Sequence, residues 1–217
     1  MKINEIFSSI EGEGIRAGLP CVFIRFQNCN LRCSYCDSRY ACEGSDYICM
    51  SLDNIVNKVK SYNIPRATVT GGEPLIQKDI WKLIRKLSDE KISVNVETNG
   101  SIDISPNEKF SYDDNLIITM DWKSISSGES DKMLESNLEQ LTDADVLKFV
   151  VGNQQDLDQM KSIVETYNPD CHMFVSPIFG EIEPKDIVKY LLDNKLNRVR
   201  IQLQLHKYIW DPDKRGV

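Results

Sequence analysis

The chain has no apolar run approaching the roughly 18 residues that a membrane span needs. Its opening stretch, MKINEIFSSIEGEG, lacks the apolar core of a secretory signal. Both absences point to a cytoplasmic protein with no membrane partner. A basic excess is missing as well: 26 Lys and Arg stand against 33 Asp and Glu, a net charge of −7. Proteins that mainly hold nucleic-acid backbone carry more positive charge, so no nucleic-acid partner is expected. Internal repeats and low-complexity segments are also lacking, which leaves a single domain over residues 1–217. That length falls short of the about 250 residues of a complete (β/α)₈ barrel. Cysteine is not scarce: there are seven. In a reducing compartment, clustered cysteines mean metal or catalysis more often than disulfides.

Short β-branched runs alternate with amphipathic segments. Residues 20–26, 67–70, 94–97, 116–120, 146–151, 173–176 and 198–203 read as strands. Residues 51–62 read as a helix capped by Ser51, with Leu52, Ile55, Val56 and Val59 on one face. Ile80, Leu83, Ile84 and Leu87 make residues 78–90 a second helix. Further helices are expected at 131–141, with Met133, Leu134, Leu138 and Leu141 inward, and at 156–167 and 185–194. The alternation predicts an α/β fold: a partial or open barrel of about six parallel strands with fewer helices. Chemistry in such folds sits at the carboxyl ends of the strands. The segments to watch are 27–49, 70–74, 97–100, 121–126, 152–155 and 176–180.

The densest chemistry follows the first predicted strand, where Cys29, Cys33 and Cys36 stand in C-x3-C-x2-C spacing. A 4Fe–4S cluster prefers a thiolate at each iron, so three cysteines leave one iron open to a small molecule. A structural zinc site using these three and Cys42 is the alternative, as is a set of inert thiols. Thr70-Gly71-Gly72-Glu73-Pro74 directly follows another predicted strand. Glycines there let backbone approach a ligand closely, and a carboxylate can accept from an ammonium group.

Together these motifs resemble the radical S-adenosylmethionine (SAM) superfamily, in which the glycine motif meets the amino group of SAM. The segment from Glu5 to Gly14, the run Val22-Phe23-Ile24-Arg25-Phe26 and the tail from Leu205 to Val217 narrow the resemblance. They are similar to the 7-carboxy-7-deazaguanine synthase family. That resemblance implies a lyase that contracts 6-carboxy-5,6,7,8-tetrahydropterin to 7-carboxy-7-deazaguanine with loss of ammonia, on the route to queuosine. It also implies a 4Fe–4S cluster, SAM and Mg²⁺ as cofactors, a homodimer, and a flavodoxin-like electron donor.

By the same resemblance, Cys29, Cys33 and Cys36 hold the cluster and Ser38 meets Mg²⁺. Tyr35, Cys36, Asp37, Gly72, Glu73, Asp121, Trp122, Lys123, Ser176, Pro177, Ile178 and Phe179 line SAM. Ile10, Glu11, Gly12, Arg25 and Thr70 face the substrate in an N-terminal binding segment, and the C-terminal tail closes the site. His206 and the Val217 carboxylate are further candidates for substrate contact, and Cys42 and Cys49 for adventitious metal binding. Arg25, an ionic residue between Ile24 and Phe26, suits a fork that receives a carboxylate. Two positions depart from the usual pattern: Glu11 replaces Gln, and Asp121-Trp122 replaces Ser-Pro. A carboxylate at Glu11 only accepts, where an amide also donates. A glycyl-radical activating enzyme, which shares the cysteine spacing, is the alternative function.

Overall fold

A computed structural model describes residues 1–106, 116–211 and 214–217; the tail motif read above is therefore described apart from residues 212–213. One nine-stranded sheet runs through them. Its strands are β1 (Lys2–Ile10), β2 (Pro20–Phe26), β3 (Ile48–Cys49), β4 (Arg66–Gly71), β5 (Ser93–Thr98), β6 (Leu116–Trp122), β7 (Val146–Val151), β8 (His172–Pro177) and β9 (Val199–Ile201). Their order is β3-β1-β2-β4-β5-β6-β7-β8-β9. From β2 to β9 every pairing is parallel, and β1 pairs antiparallel with both β2 and β3. The open α/β sheet agrees with expectation, with seven parallel strands in place of about six and an antiparallel edge added.

The parallel strands read as apolar runs because both faces are covered. Ile24, Val69, Val94, Val96, Ile118 and Val175 are all fully buried. The helices are α1 (Arg39–Cys42), α2 (Leu52–Lys60), α3 (Ile80–Asp89), α4 (Gln154–Tyr167), α5 (Pro184–Asp193) and α6 (His206–Ile209). Ser51 caps α2, its hydroxyl accepting from the Asn54 N–H at 3.2 Å. Asn153 caps α4 in the same way, which starts that helix two residues before the predicted point. Pro184 occupies the first turn of α5, where its missing N–H costs nothing.

The helix expected over 131–141 is not formed. Two short 3₁₀ turns, Ser130–Lys132 and Glu135–Asn137, stand there, separated by extended backbone at Met133 and Leu134. Long-range hydrogen bonds outcompete the helical ladder. The Leu134 N–H donates to the Gly100 carbonyl at 3.1 Å, and the fully buried Asn137 amide donates to the Gly100 and Ile102 carbonyls. The last strand is also shorter than the 198–203 expected: Gln202 keeps one backbone bond to Val175 while its side chain and the Leu205 N–H turn to the N-terminal segment.

Candidate active site

The carboxyl ends of the parallel strands open into one cavity of about 570 Å³. Cys29, Cys33 and Cys36 line one wall, with Cys42 beside them. Their loop is pinned at both ends: the Asn28 N–H donates to the Ala41 carbonyl at 2.8 Å, and the Ser34 N–H to the Ser127 carbonyl at 3.0 Å. The glycine turn after β4 presses on the same loop. The Glu73 N–H donates to the Asn28 carbonyl at 2.9 Å, and a Cβ on Gly72 would overlap that carbonyl. Gly72 thus lets backbone meet backbone, besides lining the cavity.

The thiols differ electrostatically. Hydrogen bonding from Cys42 pulls both Cys29 and Cys36 down to about 6, against a burial cost that works the other way. The Leu31 N–H at 3.4 Å and the Asn99 amide at 3.7 Å also donate to the Cys29 sulfur. Burial pushes Cys33 up to about 11. Among the described residues no three His, Cys, Asp or Glu side chains are grouped closely enough to hold a metal ion.

Glu73 itself is fully buried behind the wall. Its carboxylate accepts from the Leu75 N–H at 2.9 Å, the Thr98 hydroxyl at 2.9 Å and the Asn99 N–H at 2.7 Å. Burial raises its pKa to about 7 in spite of these bonds. Its side chain therefore braces the turn and does not line the cavity.

Ile10, Glu11, Gly12, Arg25 and Thr70 line the same cavity. Arg25 is no solvated strand residue: its Nε donates to Glu5 at 2.7 Å, and its guanidinium lies 5.9 Å from the Tyr40 ring centroid. The Tyr40 hydroxyl donates to the same Glu5 oxygen at 2.9 Å. Glu11 is only 2% exposed and accepts from the Thr68 hydroxyl. Burial, with the nearby Glu97 charge, raises its pKa to about 7. The Thr70 hydroxyl donates to Glu97 at 3.0 Å. The Gly12 carbonyl accepts from the Leu205 N–H at 3.1 Å, and the His206 ring fills the space where a Gly12 Cβ would stand. Burial lowers the His206 pKa.

The remaining expected residues divide. Tyr35, Asp37, Ser38, Asp121, Lys123, Ile178 and Phe179 line the cavity. The Asp121 Oδ2 accepts from Lys123 Nζ at 2.8 Å, whereas its buried Oδ1 has no hydrogen-bond partner among the described residues. Ser38 precedes α1 without using its side chain as a cap. The Trp122 side chain is buried away from the cavity, and the Ser176 hydroxyl donates to Glu13 at 3.1 Å behind it. Pro177 ends β8 without lining the cavity, and exposed Cys49 lies outside it on β3. Val217 does line it, and Arg215 stacks 3.7 Å over the Tyr40 ring centroid.

Glu13, Glu97, Asn99 and Lys148 also line the cavity and were not anticipated individually. The segment 97–100 was flagged by position alone. Lys148 had a readable signal, a lone charge inside the buried run Val146–Val151.

The comparisons with known proteins fit this geometry. A model of the radical SAM superfamily matches residues 23–111. A 7-carboxy-7-deazaguanine synthase from Clostridium acetobutylicum is 42% identical, over 100% of this chain and 99% of its own length. The chain belongs to the 7-carboxy-7-deazaguanine synthase family. Another family member, from Chlorobaculum tepidum, is 36% identical over 100% of this chain and 97% of its own. The crystal structure of QueE from Escherichia coli has the same fold, with a TM-score of 0.75 at 22% identity over 94% of both chains. Streptococcus suis SuiB bound to S-adenosylmethionine shares it more distantly, at 0.60 and 13% over 83% of this chain and 51% of that one. Membership over the whole chain sets aside the glycyl-radical activating alternative.

The residues present fit the cofactors of a 7-carboxy-7-deazaguanine synthase. Three soft thiols line one cavity, two of them drawn toward thiolate, with N–H donors aimed at the Cys29 sulfur. That donor set suits a 4Fe–4S cluster. The orphaned Asp121 Oδ1 is a spare acceptor on the same cavity.

Proposed function

We propose that this cavity is the site at which the chain, as a radical SAM carbon–nitrogen lyase, converts 6-carboxy-5,6,7,8-tetrahydropterin to 7-carboxy-7-deazaguanine and ammonia, on the route to queuosine. The observation that carries the reading is the sharing of one cavity by the three cysteines and by Glu11, Arg25 and Thr70. When bound, the cluster and SAM supply a carbon-centred radical able to take hydrogen from a substrate C–H bond.

Cys29, Cys33 and Cys36 hold the cluster. Tyr35, Asp37, Gly72, Lys123, Ile178 and Phe179 surround SAM, and Asp121 offers its unpartnered oxygen to a donor on it. Glu73, Trp122, Ser176 and Pro177 act from behind, by holding the strand ends that carry these residues. Arg25 engages Glu5 through Nε, which leaves its terminal nitrogens as a fork for the substrate carboxylate. Glu11 and Thr70 meet polar edges of the pterin. At a pKa of about 7, Glu11 carries a proton for part of the time and can then donate as the usual glutamine does. Ser38, whose hydroxyl hydrogen-bonds the Cys36 sulfur, offers its oxygen lone pairs to Mg²⁺. His206 and the tail through Arg215 and Val217 cover the substrate end and exclude water, which a radical reaction requires.

Residues 1–217 form one functional domain, with an N-terminal substrate segment and a closing tail. Homodimer assembly, a flavodoxin-like reductant and a cytoplasmic location complete the proposal; among the described residues no helix is long and apolar enough to cross a membrane. Anaerobic reconstitution, followed by mass detection of the deazapurine with and without SAM and with no protein partner added, tests it. Product that forms without SAM, or none with every cofactor present, overturns it.

A further inference from the structure

Cys42 is the one cysteine of the cavity that the family resemblance leaves without a role. Its sulfur lies 3.8 Å from the Cys36 sulfur and donates to the Ser38 carbonyl at 3.7 Å. The residue is 7% exposed and ends α1, so packing holds the thiol against the expected ligand sulfur of Cys36. Sulfurs at contact distance cannot each terminate a different iron of one cubane, because terminal thiolates point outward from separate corners. A thiol can, however, donate weakly to a thiolate. Hydrogen bonds to cluster sulfurs are among the levers that set a cluster's reduction potential.

We propose that Cys42 is a positioning residue and not a ligand: its single S–H, within reach of both the Ser38 carbonyl and the Cys36 sulfur, turns to Cys36 when that sulfur is a cluster ligand and raises the cluster's reduction potential. The inference rests on the assignment of Cys29, Cys33 and Cys36 as the cluster ligands. The hydrogen bond stabilises the reduced, more negative cluster over the oxidised one. It thereby makes the electron easier to accept from a donor.

The test uses the full chain, reconstituted anaerobically, as wild type, Cys42→Ala, Cys42→Ser and Cys33→Ala. Iron and sulfide are assayed, circular dichroism checks folding, and the midpoint potential is read by redox titration followed by electron paramagnetic resonance. Cys42→Ala retains the full complement of iron and sulfide and shifts the potential negative. Cys42→Ser, whose hydroxyl still donates, shifts it less. An unchanged potential in Cys42→Ala overturns the proposal. So does loss of iron from both Cys42 variants in folded protein, which would make Cys42 a ligand. Should Cys42→Ala fail to fold, Cys42→Val takes its place beside Cys42→Ser, and the order of their potentials decides. Retention of the cluster by Cys33→Ala would instead overturn the underlying ligand assignment, a separate failure.

Discussion

Lys148 Nζ lies 3.1 Å from Glu13 Oε2, and each of these side chains is only 10% exposed. Burial alone would raise the Glu13 pKa; the Lys148 charge overrides it and holds the carboxyl at about 2. The pair's contribution to stability is therefore complete above about pH 4.5 and is lost as the pH falls toward 2. Lys148→Met strands a buried anion and should destabilise the fold by about 3–5 kcal/mol at pH 7. Adding Glu13→Gln should recover part of that loss. Urea unfolding of both single variants and the double variant measures the coupling, and strict additivity would refute it.

Glu11 has the opposite sign. Its folded pKa of about 7 lies above the ordinary 4.5, so the folded protein binds the extra proton. Stability then falls as the pH rises from about 4.5 to 7 and levels off beyond. Glu11→Gln removes that penalty and should stabilise the protein at pH 8 by at most roughly 3 kcal/mol, with little change at pH 4. Thermal melts at the two pH values decide; an equal shift at both would show that the carboxyl carries no such cost.

Cys33→Ala should abolish the broad visible absorbance of the reconstituted protein, whereas Cys21→Ala should keep it. Cys21 is fully buried and bonded within the core to Thr68, outside the cavity. An absorbance spectrum with iron analysis checks both, and a coloured Cys33 variant would contradict the ligand assignment.

Gly72→Ala places a methyl group on the Asn28 carbonyl. The overlap is with backbone, so the cysteine loop must shift. A cost of about 1–3 kcal/mol follows from overpacking. Iron should also be lost faster to a chelator than from wild type. A chelation rate equal to wild type would mean that turn and loop are not mechanically linked.

Arg25→Lys keeps the charge and removes the planar fork. A rise in KM of about 10–100-fold for the pterin is expected, the worth of one charged hydrogen bond. Steady-state kinetics with unchanged SAM affinity would support it, and an unchanged pterin KM would not.

Much of the architecture was legible in the sequence because each parallel strand is buried on both faces and each long helix carries one apolar stripe. Ile55, Val56 and Val59 on α2 and Leu83, Ile84 and Leu87 on α3 pack inward as their spacing predicts. β1 escaped notice because its mixture of polar and apolar residues fits a half-covered antiparallel strand, and its pairing partner lies across a turn. The false helix at 131–141 had suitable spacing, but Asn137 spends its hydrogen bonds on the segment after β5, a contact that no local pattern encodes.

In the site, motif spacing located the cysteine loop and the glycine turn. It could not show that the Glu73 carboxylate is satisfied by Leu75, Thr98 and Asn99. Nor could it place Glu13 and Lys148, which lie 135 residues apart and meet only once the sheet has formed.

The Gln202 side chain donates to the Gly14 carbonyl at 3.0 Å and accepts from the Gly14 N–H at 2.6 Å, clasping two positions 188 residues apart. During synthesis, the thiols and the first strands leave the ribosome well ahead of this clasp. The backbone groups of Gly14, in the link between β1 and β2, thus wait for a side chain from beyond β9 before both are satisfied.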